Sequence, residues 1–458
     1  MRLLKTIAWL ALSSALTACV PAPTAQVSKN FTGDSATEQG MPAMQVFASG
    51  QAVGATRPNS EMAADFLDLE FRMESGRALP VLTRFEGPIT IRLIGDVPPS
   101  ARGELARVMG RFRSEAGLSV SETSAADASI TIDFQPKSQL RRAVPSASCF
   151  VVPNMTSFRQ YLASRNTVAV DWTQLTRRTK VAVFIPADTS PQEVRDCLHE
   201  ELAQAMGPLN DLFRLPDSVF NDDNFQSVLT GFDMLMLRVH YSPELRSGMN
   251  EAEVAARLPG ILARLNPAGE ARRGAPKQLS PRTWISAAEQ AFGSARGGNG
   301  AAAQRMIGIA KAQGWTDGRL AFSYFALARS QTAGNLAAAI GNYNLAASIW
   351  RTQPAGAIHV AHIDMQLAAF ALSSGQMDQV MSLTDRAIPV VRQHQNASLL
   401  ASLLALRAEA LEALGRGSEA RAARLDSQGW ARYAFGSDAQ IRARLGDIAQ
   451  LGARGRRG

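Results

Sequence analysis

What this chain lacks narrows its chemistry first. Among 458 residues there are five histidines and three cysteines. His199-Glu200-Glu201-Leu202-Ala203 begins like a zinc-protease helix, but alanine stands where the second imidazole would bind, so a two-histidine zinc grip is excluded there. No GxSxG segment occurs, which removes the serine-hydrolase elbow, and no GxxxxGK[ST] loop supports nucleotide hydrolysis. Lys and Arg form no dense block before the terminal RGRRG. The net charge of +8 therefore reads as a solvated surface, and neither nucleic acid nor nucleotide is an expected partner. The apolar run Ile7–Leu16 is too short to span a bilayer.

The length and the 46% hydrophobic content leave room for more than one core. Arg2 and Lys5 precede the apolar run, and Leu16-Thr17-Ala18-Cys19 follows it. Charge, apolar run and small residues before cysteine together resemble the signal peptide of bacterial lipoproteins. The resemblance implies removal of residues 1–18 and diacylglycerol on Cys19. It also implies a lipid-anchored protein in the cell envelope, facing the periplasm. Val20 after the cysteine, in place of aspartate, points within that family to the outer membrane. The alternative is a cleaved, soluble signal peptide. With Cys19 lipidated, Cys149 and Cys197 remain, and an oxidising compartment favours a disulfide that staples the SASCF loop to a helix. Two separate buried thiols are the other reading.

Residues 19–58 are rich in Pro, Ala, Thr, Ser and Gly and read as a flexible tether. Alternating β-branched runs predict strands over Pro88–Ile94, Ala128–Phe134 and Lys180–Ile185, with an amphipathic helix over Pro99–Gly117. Ser190 and Pro191 cap and open a second helix, the central one. Together these predict an α/β domain over 59–252. A Pro-, Gly- and Arg-rich stretch over 253–280 reads as a linker. From 281 to 451 the chain reads as helical, with turn glycines Gly334, Gly375 and Gly415 spaced 41 and 40 residues apart. That pattern resembles tetratricopeptide-type hairpins of lengthened period, an all-α repeat domain. An ordinary helical bundle is the alternative. Residues 452–458 are expected to form a disordered basic tail.

The stretch around the central helix carries the chemistry. Metzincin proteases use HExxHxxGxxH: two imidazoles one helical turn apart, a glutamate that activates water, a glycine turn and a third ligand. With Gly207 on the motif glycine, Glu200, Glu201, Gln204 and Asn210 fall on the four functional places, and Asp211 adjoins the last. Downstream, Ser218-Val219-Phe220 looks like the methionine turn, with Phe for Met. Leu229 to Tyr241 looks like the closing helix. The chain thus resembles a matrixin-like metzincin fold with its histidines replaced. It also resembles proteobacterial lipoproteins whose central domain has no assigned function, through EELAQAMGPLNDL and DSVFNDDNF. The resemblance implies Glu201 as general base if the site is active. Glu200, Gln204, Asn210 and Asp211 offer oxygen donors, which suit calcium or magnesium better than zinc. The rival reading is a metal-free cluster holding the turn by side-chain hydrogen bonds. His199 reads as a helix-surface residue, and His359, His362 and His394 have no metal spacing.

The expectation is therefore a non-catalytic envelope scaffold with no cofactor, whose repeats bind an envelope protein or peptide. The alternative is a metallopeptidase using Glu201 and unusual ligands.

Overall fold

The computed structural model describes residues 41–48, 54–55, 57–145, 147–293 and 298–456. Cys19, the 1–18 segment and most of the tether lie outside them. The chain forms two compact units. One is 281–316 with 320–346; the other takes the described residues up to 280, with 317–319 and 347–458.

The larger unit begins with α1 (Asn59–Glu70), β1 (Ile89–Gly95), α2 (Ala101–Glu115), β2 (Val120–Glu122), β3 (Ile130–Gln135), α3 (Lys137–Ala143) and β4 (Phe150–Pro153). It continues through α4 (Phe158–Ser164), β5 (Val181–Pro186), α5 (Pro191–Met206), α6 (Gly231–His240), α7 (Glu251–Ala255), α8 (Leu258–Leu265) and α9 (Pro267–Glu270). The strands form one mixed sheet, ordered β2-β1-β3-β5-β4, in which only β4 runs antiparallel, against β5. β5 is buried along its whole length. Its alternate residues serve two cores: Val181, Val183 and Ile185 join the main core with α2 and α5, while Ala182 and Phe184 face Leu140, Val152 and Phe158. That two-faced burial is the reason β5 reads as a continuous apolar run. The expected strands are present as β1, β3 and β5. β2 and β4 span only three and four residues, too short to show an alternation.

The smaller unit is helical, with α10 (Arg282–Phe292), α11 (Gly300–Ala312) and most of α12 (Gly318–Gln331) and α13 (Leu336–Trp350). Trp284 is fully buried there and donates to Ser323 Oγ (3.3 Å). The larger unit resumes with α14 (Ala357–Ser373), α15 (Met377–Gln393), α16 (Ala397–Ala413), α17 (Gly417–Phe435) and α18 (Asp438–Gly455). Gly334, Gly375 and Gly415 fall in the links of the hairpins α12–α13, α14–α15 and α16–α17, as their spacing predicts. Gly375 and Gly415 adopt φ of 72° and 74°, where a side chain would be strained. No helix among the described residues is long and apolar enough to cross a membrane.

Three stretches differ from their sequence reading. Residues 253–280, expected as linker, contain α8, whose Leu258, Ile261 and Leu262 are buried in the main core. Its apolar stripe is only two turns long and is masked in the sequence by neighbouring Pro and Gly. Residues 41–48, inside the expected tether, run along α17: Phe47 stacks on Trp430 (centroids 4.2 Å), and Gln45 donates to Asp426 (2.9 Å). The expected tail is helical to Gly455, and Arg456 pairs with Glu409 (3.2 Å).

Candidate functional site

The site is built on α5. Ser190 caps the helix by accepting from the Glu193 amide (3.2 Å), and Pro191 takes the first turn, where no donor is needed. The helix is buried on most of its circumference. One face meets the sheet and α2, and another meets the helical layer: Arg195 donates to the Gln395 carbonyl (2.7 Å) and the Ser398 amide donates to Gln192 Oε1 (2.8 Å). Tyr433 of α17 donates to Glu104 of α2 (2.6 Å) and faces the Arg195 guanidinium. Cys197 of α5 and Cys149, just before edge strand β4, lie in disulfide geometry with Cα atoms 6.1 Å apart.

The end of α5 is held by a residue that sequence reasoning missed. The last carbonyls of a helix have no partner within it. Here the buried Arg178 donates to the carbonyls of Gln204 (2.7 Å), Ala205 (2.8 Å) and Gly207, and Tyr241 donates to that of Met206 (2.9 Å). A Cβ on Gly207 would approach Leu237 tightly, at 3.3 Å, and meet Glu70 and His240 at an ordinary contact distance of 3.6 Å. After it, Leu209 and Asn210 bond to the end of α1: the Leu209 amide donates to Leu69 O (3.1 Å) and Asn210 Nδ2 donates to Asp68 O (2.9 Å).

The turn at Ser218-Val219-Phe220 is fixed by Asp233 of α6. That carboxylate accepts from Ser218 Oγ (2.5 Å), Val219 N (3.2 Å) and Thr230 N (2.7 Å), and Thr230 completes a capping box. Burial nevertheless pushes Asp233 up to about 6. Phe220 is fully buried, and its carbonyl accepts from the Leu212 amide (3.0 Å), setting this turn beside the segment that carries Asp211.

Glu200 is an acidic neighbour of both Glu201 and Asp211, and Gln204 Nε2 lies 3.4 Å from Asp211. Asn210 turns its NH2 to the α1 backbone. Glu74, absent from the sequence-predicted set, supplies with Asp211 and Asp222 carboxylate oxygens all within 4.8 Å of one another. Glu74 rides on a tight turn after α1, closed by Met73 N to Arg77 O (3.0 Å). Burial, then the charges of Asp222 and Glu74, raise Glu200 to about 8. Burial, then Glu200, hold Glu201 and Asp211 well above the usual carboxylate range. Glu201 is 4% exposed and its Oε2 has no hydrogen-bond partner; neither has the buried Asp211 Oδ1.

The loop at 221–224 divides its work. Asp222 faces the cluster, whereas Asp223 accepts from Phe225 N (3.1 Å) and Asn221 Nδ2 (2.9 Å) and meets His359 Nε2 (3.2 Å). The histidines lie elsewhere. His199 is buried rather than on the helix surface, and its Nδ1 accepts from Leu229 N (3.2 Å). It reads as surface because it adjoins Glu200, yet α5 is covered on more sides than a simple amphipathic helix. His240 pairs with Glu70 (2.8 Å), and His394 meets Gln226 (3.0 Å). His359 and His362 pack around Phe225.

Residues 59–260 match a family described as "Protein of unknown function (DUF2927)", so the chain carries that domain. No curated protein and no solved structure matches the chain.

Proposed function

We propose that the α/β region is a metzincin-like fold that has lost peptidase chemistry, and that the chain is a non-catalytic envelope scaffold. The observation that carries this reading is the donor set. The third-ligand place, Asn210, is tied to the α1 backbone, and the neighbouring groups at the site are oxygen acids and one amide. Water activation by zinc at neutral pH relies on a metal held by imidazole or thiolate with one open position. The disulfide-ready cysteine pair agrees with an oxidising compartment, in which a lipid on Cys19 would anchor the chain. The helical hairpins would present a surface for a protein or peptide partner.

A second reading keeps one observation in its favour. A buried Glu201 carboxyl held above its ordinary range is suited to proton transfer, so the active-peptidase reading retains a candidate base. Cleavage of unfolded casein by the purified chain, supplied in turn with zinc, calcium and magnesium, decides between them. The scaffold predicts no cleavage with any metal. Cleavage abolished by Glu201→Gln would establish the peptidase.

A further inference from the structure

We propose that the face of the sheet covered by α3, α4 and the turn Val168–Val170 docks on an anionic lipid bilayer. This face lies across the sheet from the main core. Leu140 of α3 and Phe158 of α4 share a small core with Ala182 and Phe184 of β5, and Tyr161, Ala169 and Val170 pack against it. From Phe134 to Val170 the chain holds Lys137, Arg141, Arg142, Arg159 and Arg165, and no Asp or Glu. These five cations make up more than half of the net charge of +8. Lys137 meets Glu193 (2.7 Å). Arg141, Arg142, Arg159 and Arg165 are exposed and enter no ion pair among the described residues.

The same face turns apolar side chains to water. Val168 is 76% exposed, more than any other large apolar side chain among the described residues, and Leu162 is 43% exposed. Both stand on ordered backbone. Leu162 belongs to α4, whose cap Ser157 accepts from the Gln160 amide (3.2 Å). Beside Val168, Asn154 Nδ2 donates to Ala169 O (3.0 Å), and Asp171 N closes the turn onto Val168 O (3.2 Å). Single exposed apolar residues are ordinary. Set among guanidinium groups without acidic partners, they meet both demands of a membrane surface: positive charge for anionic headgroups and aliphatic groups for the acyl boundary. Nucleic acid also attracts arginine, but its bases stack on aromatic platforms rather than on Leu and Val. Docking this face would leave the main core and α5 on the side away from the bilayer. The contact needs neither the lipid on Cys19 nor a partner for the helical hairpins.

The test is co-sedimentation of the full chain, carrying Cys19→Ser so that no lipid is attached, with vesicles of phosphatidylcholine and with vesicles in which phosphatidylglycerol is mixed. The neutral vesicles set the baseline, including whatever the Ile7–Leu16 run contributes. The expected result is binding about tenfold tighter to the anionic vesicles, a preference that shrinks as NaCl is added. Arg159→Glu/Arg165→Glu should abolish the preference, and Arg159→Lys/Arg165→Lys should keep it. Leu162→Ser/Val168→Ser should weaken binding to the anionic vesicles about tenfold. All four side chains are exposed, so the variants should fold, and circular dichroism checks this. Equal binding to both kinds of vesicle, or an unchanged preference in the glutamate variant, would overturn the proposal. So would binding to double-stranded DNA as tight as to the anionic vesicles and indifferent to Leu162→Ser/Val168→Ser, which would make this face a site for a soluble polyanion.

Discussion

Two groups of charged side chains involve the segment from Gly207 to Asp223, and they are built on opposite plans. On one side Arg57 bonds Asp65 and Asp217, and Arg214 bonds Asp65 (2.9 Å) and Asp68 (2.7 Å), with Arg57 also lying over the Phe232 ring. Two guanidinium groups answer three carboxylates. On the other side stand Glu74, Glu200, Glu201, Asp211 and Asp222, where burial, and after it the charge of further acids, acts on Glu200, Glu201 and Asp211. The same segment thus bears carboxylates met by guanidinium groups and carboxylates set among other acids. The first arrangement stabilises the ionised acid in the fold, and the second favours the protonated one.

Breaking the balanced side should have the larger effect. Arg57→Met leaves Asp65 with Arg214 as its guanidinium partner and takes the Arg57 guanidinium from Asp217, and the loss of one member of such a network costs about 3–5 kcal/mol. Urea unfolding measures it, and a loss below about 1 kcal/mol would mean that this network is no more structural than the acidic one. Arg178→Met should come next, at about 3 kcal/mol, since it strands three carbonyls at the end of α5 at about 1 kcal/mol each. Amide exchange should quicken in the last turn of α5 before it does in β5.

These two arginines mark the boundary of what the sequence could disclose. The strands β1, β3 and β5 were legible because alternation and β-branching are local properties. The cap at Ser190 and the links at Gly375 and Gly415 were legible for the same reason. The glycine register placed Glu200, Glu201, Gln204 and Asp211 on one helix and the turn after it, because spacing is local. It could not say that the Asn210 NH2 turns to α1, because spacing places a residue and not the direction of its amide. Glu74, more than a hundred residues before α5, and Arg178, on the loop before β5, reach the site only through tertiary packing. His199 misled because α5 is covered by both a sheet and a helical layer, so no polar face marks its solvent side.

The contact between the acidic loop and the helical layer allows a third test, by pH. His362 packs edge-on to Phe225 (4.8 Å) near His359 and His394, and His359 faces Asp223. Burial, then the two neighbouring histidines, push His362 down to about 3, and burial likewise lowers His394 to about 4. A histidine whose folded value is depressed favours folding above its unfolded value of about 6.5. As pH falls below 6.5 the unfolded chain takes up the proton first, so stability is lost from 6.5 downwards. For His362 this amounts to about 2 kcal/mol by pH 5, at ~1.4 kcal/mol per pH unit. Melting temperatures from pH 7 to pH 5 should fall in the wild type and fall less in His362→Leu. Parallel curves would remove these histidines as a reason for acid sensitivity.

The smallest effect should also have the opposite sign, which makes it the sharpest test of the comparison. Glu201→Gln replaces a buried acid among acids with a neutral amide whose NH2 finds carboxylate acceptors around it. At neutral pH this should raise stability by about 1 kcal/mol, because the folded wild type must hold a proton on this buried carboxyl that the unfolded chain does not, whereas the amide needs none and fills an unmet hydrogen bond. Below about pH 4, where the unfolded chain protonates its carboxyls as well, that gain should shrink, because folded and unfolded states then hold the same proton. A substitution that stabilises at neutral pH and is silent in acid marks a carboxyl that folding works against. An acid held by guanidinium groups, as in the Arg57 network, would instead lose stability on neutralisation at about pH 7.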